Sequence, residues 1–265
     1  MAIVLPTKDK AELRRRILAA VQQMYAEVAS FPSRGFHFPT GRKACEYVGY
    51  PQSELDSIPA TALESFAGVG YPFVAEVLHP GKAVLDVGSG SGTDLINAAL
   101  HVGPEGKAYG VDLTEEMISK ARENVAIAGL GNTEVLTGNA ESLPLEDSSV
   151  DVVTSNGVIN LVPDKRLAYR EIHRVLKDGG EIQISDIVLA KEISEKSKAN
   201  PQLWAECIVG ALPEEAYLEV IRGAGFEDVK VLSRIDYFDK SDSESTKKAA
   251  NQFGASSITV YARKK

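Results

Sequence analysis

The spacing of apolar residues along the chain predicts an amphipathic N-terminal helix followed by a series of strands and helices. Over residues 8 to about 29, apolar residues recur with a helical period, and Phe31-Pro32 follows as a stop signal. Beyond this segment, short apolar runs with β-branched residues are typical of buried strands. These predicted strands cover residues 83–87, 108–111, 134–137, 150–156, 181–187, 229–235 and 257–262.

Helical patterns fill most of the intervals between the predicted strands. They cover residues 93–102, 114–128, 164–176 and 217–224, and Thr114 and Asp164 are the expected N-caps of two of these helices. Because strands alternate with helices, the chain predicts an α/β fold. Its seven-stranded, mostly parallel sheet should have right-handed crossovers and helices on both faces.

We expect the chain to have two parts. Residues 1–80 should form the N-terminal helix and a lid segment, in which stretches 36–42 and 65–72 lack regular structure. Residues 81–265 should form the main domain. An inserted helical cap is expected at about 190–216, because this interval is too long for a simple connection. Residues 238–254 are expected to be a polar surface loop with a short helix.

Composition favours a small-molecule partner. The chain has 265 residues, 44% of them hydrophobic, which is enough to bury a full core. The net charge of −8 argues against nucleic acid, and two cysteines do not make a disulfide framework. The chain has no signal-like start and no run of 18 apolar residues, so we expect a cytoplasmic protein without a membrane partner. The oligomeric state does not follow from the sequence.

A glycine-rich loop directly follows the first predicted strand. Asp86 lies near the strand end, and Gly88, Gly90 and Gly92 come next. Because glycine has no Cβ, the backbone of such a loop turns sharply and approaches a ligand closely. About 20 residues beyond the loop, Asp112 ends the second predicted strand, where a carboxylate can accept hydrogen bonds from two ribose hydroxyls. The pattern therefore predicts a nucleoside site.

Glycine triplets of this kind also occur in nicotinamide and flavin enzymes, so the glycines alone do not fix the cofactor. A carboxylate at Asp86 would repel a pyrophosphate but would suit the α-amino group of a methionine moiety. The rival from another enzyme class is a nicotinamide-dependent reductase, but the chain lacks an obvious Tyr-x-x-x-Lys pair in the right context for such an enzyme.

Over roughly residues 66 to 226, the order of these segments resembles class I methyltransferases that use S-adenosylmethionine (SAM). The resemblance implies a Rossmann-like fold and SAM as the cofactor. It places the methionine end at Asp86 and the glycine loop, the ribose at Asp112, and adenine at Asn139, where the family usually has Asp. The implied cofactor-binding residues are Asp86, Gly88, Ser89, Gly90, Gly92, Asp112, Leu113, Asn139, Ala140, Glu141 and Asn156.

Two segments, residues 155–165 and 200–212, resemble arsenite methyltransferases more closely. Those enzymes hold trivalent arsenic with thiolates. The family pattern places cysteines at the positions of Val69, Gly157 and Cys207, so this chain keeps only the last of them. Its other cysteine, Cys45, lies outside the pattern. A lone thiolate cannot chelate arsenic through three sulfurs, so the acceptor end is expected to have changed.

The predicted function is methyl transfer from SAM to a small molecule with a soft nucleophile, such as a thiol, a selenide or an organic arsenical. Arsenite methylation with external thiols and a non-catalytic SAM-binding or metalloid-binding sensor are the alternatives. The candidate catalytic residues are Cys207 and His37, and the candidate substrate-binding residues are Arg42, Tyr71 and Trp204. Each of these five also fits a structural role. No histidine pair has metal-ligand spacing, and no metal is expected.

Overall fold

The computed structural model describes residues 7–193, 204, 208–241 and 243–265, and in this part of the chain the strands form one sheet. The strand order is β3-β2-β1-β4-β5-β8-β7, and the two-residue β6 pairs with β5 off this path. The strands are β1 (Ala83–Val87), β2 (Lys107–Asp112), β3 (Thr133–Thr137), β4 (Val150–Asn156), β5 (Leu176–Leu189), β6 (Leu212–Pro213), β7 (Phe226–Ile235) and β8 (Ser256–Lys264).

The predicted α/β fold is confirmed. All strand pairs are parallel except those that β8 makes with β5 and β7. The seven predicted strands lie on the main path of the sheet, and β6 adds a short eighth strand. The predicted bounds differ from the observed ones by up to a few residues, most of all at β5. The helix expected over 164–176 ends at Val175, and the chain continues directly into β5, which therefore begins earlier than expected.

The α-helices of the described residues lie before the first strand and between the strands. They are α1 (Thr7–Ser30), α2 (Arg42–Tyr47), α3 (Gln52–Leu55), α4 (Ala60–Leu63), α5 (Thr93–Val102), α6 (Glu115–Ile127), α7 (Lys165–Val175), α8 (Glu214–Gly223) and α9 (Glu244–Phe253). The short helices α2 to α4 lie between the two stretches that were predicted without regular structure. The cap predicted at about 190–216 falls mostly outside the described residues.

The sheet separates two apolar clusters, because successive side chains of a strand point to opposite faces. In β1, Val84 belongs to the cluster that also contains residues of α1, α5 and α6, whereas Leu85 and Val87 belong to the cluster with α7 and α8. Helices therefore cover both faces, as the sequence predicts. None of the helices in the described part of the chain combines the length and the apolar character that a membrane span requires.

Helix α1 is attached to the loops that follow the carboxyl ends of β2 and β3. The Arg14 guanidinium donates to Oε1 of Glu141 over 2.7 Å, and the side chain of Gln22 donates to the carbonyl of Leu113 over 3.0 Å. From α6, the Lys120 ammonium donates to the carbonyl of Ala29 over 3.2 Å. These bonds hold α1 across the edge of the sheet where ligands of open α/β folds bind.

Candidate active site

A cavity of about 970 Å³, counted with the part that opens to solvent, lies at the carboxyl ends of the first four strands. Leu18, Val21 and Tyr25 of α1 form part of its wall. Most of the predicted cofactor-binding residues line this cavity, although they come from four different segments of the chain. They are Asp86, Gly88, Ser89, Gly90, Asp112, Leu113, Asn139, Ala140 and Asn156.

The glycine loop bends between β1 and α5 in conformations that favour glycine. Gly88, Gly90 and Gly92 have φ angles of 76°, 52° and 96°. A Cβ at Gly88 would also lie only 2.2 Å from Cγ2 of Val158, so a side chain has no room there. Gly92 is the N-cap residue of α5 and does not line the cavity. Its role is therefore to start the helix, while the other two glycines form the cavity wall.

Asp112 lies at the end of β2 and faces the glycine loop. Its Oδ2 accepts a hydrogen bond from the backbone N–H of Gly90 over 2.9 Å, and its Oδ1 accepts one from the N–H of Thr114 over 2.8 Å. The carboxylate is half-buried and lines the cavity. Carboxylate oxygens accept several hydrogen bonds, so both retain acceptor capacity for hydroxyl groups.

Asp86 is a buried carboxylate with one unpartnered oxygen. Its Oδ1 accepts from the hydroxyl of Thr154 over 3.0 Å, whereas its Oδ2 has no hydrogen-bond partner in the described part of the chain. Burial and the nearby Asp94 carboxylate raise the pKa of Asp86 well above its ordinary value. Leaving a buried acceptor unsatisfied is costly. A cationic donor such as an ammonium group would satisfy this oxygen, so the residues present fit the methionine end of SAM.

The comparisons with known proteins agree with this geometry. Residues 78–244 match the family model described as a methyltransferase domain. The chain belongs to this methyltransferase family.

Within the family, two further comparisons point to arsenite methyltransferase-like members of class I. The chain is 38% identical over 195 residues to an arsenite methyltransferase of Halobacterium salinarum, a match that covers 74% of this chain and 50% of the relative. A demethylmenaquinone methyltransferase of Geobacillus kaustophilus is 43% identical over 103 residues, covering 39% of this chain and 44% of the relative. The chain spans about half the length of these curated relatives.

A solved structure shows the same fold. The arsenic(III) S-adenosylmethionine methyltransferase of Chlamydomonas reinhardtii superposes with a TM-score of 0.63 at 29% sequence identity, and the match covers 85% of this chain and 74% of that chain. The recognition of a class I SAM-dependent methyltransferase, made from the glycine loop and the two acids, is therefore confirmed.

One acid of the methyltransferase cavity was missed at the sequence level. Asp94 is buried in the first turn of α5 and lines the cavity. It accepts hydrogen bonds from the hydroxyl of Tyr50 and, over 3.0 Å, from the amide of Asn156. Burial raises the pKa of Asp94 to about 6, although these two bonds act in the opposite direction. The available signal was an acid just after the glycine loop, but only the fold shows that it faces the cavity.

Asn156 fixes the segment between α4 and β1 against the end of β4. Its Oδ1 accepts from the N–H groups of Val69 and Gly70 over 2.7 and 3.0 Å, and its amide donates to the carbonyl of Gly70 over 2.9 Å. A Cβ at Gly68 would lie 2.5 Å from the amide nitrogen of Asn156. Asn156 thus lines the cavity and also holds part of its wall.

The family pattern expects cysteines at the positions of Val69 and Gly157 as well as at Cys207. Val69 and Gly157 are neighbours in this structure. A Cβ built at Gly157 would lie 3.2 Å from Cγ1 of Val69, and Gly157 has a φ of 75°. Val69 is buried, and neither residue has a thiol. Cys207 lies outside the described residues. Cys45 is fully buried, and this burial raises the pKa of its thiol and opposes thiolate formation.

Asn139 and Glu141 follow β3, but only Asn139 faces the cavity. The Oδ1 of Asn139 accepts from the N–H of Glu141 over 3.0 Å and keeps a second lone pair. The carboxylate of Glu141 is buried against Arg14 and accepts from the N–H of Asp164 over 2.8 Å. Glu141 therefore anchors α1 instead of lining the cavity, contrary to its predicted place among the cofactor contacts.

The four predicted catalytic and substrate-binding residues in the described part of the chain also lie away from the cavity wall. Arg42 forms ion pairs with Glu46 and Asp56, so the structure does not place it where it could hold a carboxylate of the cofactor. The Tyr71 hydroxyl donates to Glu54 over 2.6 Å. Trp204 is buried, and the Lys165 ammonium lies 5.1 Å from the centroid of its ring. The His37 ring packs against Phe38, with the two ring centroids 4.6 Å apart. Their substrate-binding and catalytic roles stay predictions without support from the cavity.

Proposed function

We propose that this methyltransferase domain transfers a methyl group from SAM to a small-molecule acceptor. The observation that carries the proposal is the buried Oδ2 of Asp86, which has no hydrogen-bond partner among the described residues and lies in a cavity with Asp112 and the glycine loop. In this proposal Asp86 and the loop hold the methionine end. Asp112 holds the ribose hydroxyls, and Asn139 with Ala140 contacts adenine.

The residues around the cavity would mainly position the reactants and exclude water. When bound, SAM supplies an electrophilic methyl group on a sulfonium, which is a good leaving group. The apolar side chains of α1 and the apolar wall at Phe66 and Val158 would then keep water from the reacting atoms. Alignment of an acceptor with this methyl group can supply much of the rate enhancement, so few catalytic side chains are needed.

For the acceptor we propose a soft nucleophile, such as a thiol, a selenide or an organic arsenical. The support is that Val69 and Gly157, which are neighbours where the family pattern has two cysteines, supply no thiol. Such a site suits a substrate that brings its own nucleophile.

Arsenite methylation is the second candidate, and the 38% identity to the arsenite methyltransferase of Halobacterium salinarum favours it. Because Val69 and Gly157 lack thiols, external thiols would have to complete the coordination of arsenic. A SAM-binding or metalloid-binding sensor without turnover is the third reading. A cytoplasmic location and the lack of a nucleic-acid or membrane partner stay predictions.

The experiment combines calorimetric SAM binding with transfer of a radiolabelled methyl group from SAM. The acceptor panel contains small thiols, a selenide, an organic arsenical, and arsenite with and without glutathione. Transfer to an acceptor other than arsenite supports the first proposal, and transfer only to arsenite with glutathione supports the second. SAM binding without any transfer would favour a sensor, and no SAM binding at all would overturn the proposal.

A further inference from the structure

The cavity contains an excess of negative charge. Asp86, Asp94 and Asp112 line it, and the lining residues in the described part of the chain include no Lys, Arg or His. The oxygens of Asp112 already accept two backbone N–H bonds, which spread its charge. Asp86 and Asp94 are almost fully buried, at 2% and 6% exposure. Positive charge near this pair must therefore come from the bound molecule.

Strand order places this pair at one end of the cavity. The strands follow one another in the order β3-β2-β1-β4, in which Asn139 follows β3 and Asp112 ends β2. Asp86 lies in β1. Asn156 ends β4, and its amide donates a hydrogen bond to Asp94. The inference rests on the proposed function, in which adenine binds near Asn139 and ribose near Asp112. The methionine part then falls at the β1 and β4 end, and this part carries both cations of SAM, the ammonium and the sulfonium.

We propose that Asp94 is a specificity residue that, together with Asp86, matches the two cations of SAM and thereby favours SAM over its product S-adenosylhomocysteine (SAH). SAM carries an ammonium, a sulfonium and an α-carboxylate, and its two cations match two ionised Asp side chains in the complex. SAH keeps the ammonium and the α-carboxylate but has lost the sulfonium charge, so one of the two Asp side chains keeps its proton. SAM binding consequently releases about one more proton to solvent than SAH binding does.

The surroundings of Asp86 and Asp94 agree with the proposed difference in protonation between the SAM and SAH complexes. Burial is the main cause that raises the pKa of both, and the like charge of Asp94 raises the pKa of Asp86 further. Asp94 has two neutral donors, Tyr50 and Asn156, whereas Asp86 has one, Thr154. The other titratable groups that act on the pair come from several elements, and in the described part of the chain they are acids, phenols or a thiol: Cys45, Tyr50, Glu54, Tyr71 and Asp112.

The test is calorimetric titration of the ligand-free protein with SAM, with SAH and with sinefungin, whose amine provides a cation in place of the methyl sulfonium. The titrations run between about pH 5 and about pH 7, where the amino group of an amino-acid ligand stays protonated. Buffers of different ionisation enthalpy give the number of protons released. We expect SAM and sinefungin to release about one proton more than SAH. The ratio of the SAH and SAM dissociation constants should rise with pH, by up to about tenfold per pH unit.

Single-residue variants test the role of Asp94 separately from the roles of the other cavity residues. Asp94→Asn should abolish the difference in proton release and make the ratio of dissociation constants independent of pH. Tyr50→Phe removes a bond that stabilises the ionised Asp94, so the rise of this ratio should move to higher pH. The matched control is Tyr261→Phe, because the Tyr261 hydroxyl also donates to a carboxylate, Glu181 over 2.8 Å, but outside the cavity. This control should keep the wild-type pH profile.

The outcomes separate this inference from the proposed function. If SAM and SAH bind to the wild type with equal proton release and equal pH dependence, the inference is overturned while the proposed function stands. If SAM does not bind at any pH, the proposed function itself fails. If circular dichroism shows that Asp94→Asn does not fold, the two tyrosine variants decide. A shift in the pH dependence of the ratio of dissociation constants in Tyr50→Phe alone supports the inference. No such shift, or the same shift in Tyr50→Phe and Tyr261→Phe, overturns it.

Discussion

The carboxylate of Asp112 connects the end of β2 to the glycine loop through the N–H groups of Thr114 and Gly90. Asp112→Ala removes the acceptors proposed for two ribose hydroxyls. Hydrogen bonds to charged groups contribute about 1.5–3 kcal/mol each, so we expect SAM affinity to fall by at least about tenfold in calorimetry. Asp147→Ala is the control, since Asp147 is exposed and does not line the cavity. Unchanged affinity in Asp112→Ala would show that the ribose assignment is wrong.

The side chain of Asn156 occupies the space next to Gly68, so a residue with a Cβ does not fit at this position without a shift. A Cβ there would lie 2.5 Å from the amide nitrogen, which bonds to Gly70 and Asp94. We expect Gly68→Ala to lower the free energy of unfolding by about 1–3 kcal/mol, the usual effect of overpacking. Gly35→Ala is the matched control, because nothing lies within 4 Å of a Cβ at that position. Equal urea denaturation midpoints of the two variants would contradict this explanation.

At the scale of elements, α1 is held over the cavity by a bond between distant parts of the chain. Arg14 pairs with Glu141, whose side chain is only 1% exposed. Arg14→Ala leaves this buried carboxylate without its cation, which is unfavourable. We therefore expect faster amide hydrogen exchange in α1 and SAM affinity several-fold weaker, roughly the effect of 1 kcal/mol.

Arg15→Ala provides the matched control for α1. Arg15 is the next residue of the same helix, but it pairs with the exposed Glu12, and exposed pairs contribute little. Hydrogen exchange and SAM affinity of this variant should stay close to those of the wild type. Identical behaviour of the two arginine variants would show that the Arg14 pair does not hold α1 in place.

At the scale of the whole molecule, several buried acids make stability depend on pH. Burial raises the pKa of Asp94 to about 6 and that of Asp186 to about 7. The native state therefore binds more protons than the unfolded state, in which an Asp has a pKa of about 3.9. The contribution of these acids to stability is full below that value and is lost as pH rises through 6 to 7.

Asp186 tests this pH dependence outside the cavity, on the opposite face of the sheet, where the Tyr217 hydroxyl donates to it over 2.9 Å. An Asn at this position can still accept that bond but does not ionise. We expect Asp186→Asn to lose less free energy of unfolding than the wild type between about pH 5.5 and about pH 8, measured by urea denaturation of the ligand-free protein. A loss as large as that of the wild type would show that Asp186 does not contribute to the pH dependence.

Local patterns predicted the fold and the cofactor end of the site. The strand predicted at 83–87 and the helix at 93–102 match β1 and α5 in their bounds, because buried apolar runs, glycines and caps act over a few neighbouring residues. The roles of Arg42 and Glu141 could not be predicted in this way. Both side chains pair with residues distant in sequence, and their exposure depends on what packs against them.

The sequence by itself determined the order of strands and helices, the glycine loop and the acids at or near the ends of the first two strands. Its signals are periodicity and backbone freedom, and these are local properties of the chain. Only the tertiary structure placed Asp94 between Tyr50 and Asn156, which are 44 and 62 residues away, and brought Val69 against Gly157. Contacts of this kind depend on how the N-terminal segment packs on the sheet, and no local pattern encodes that packing.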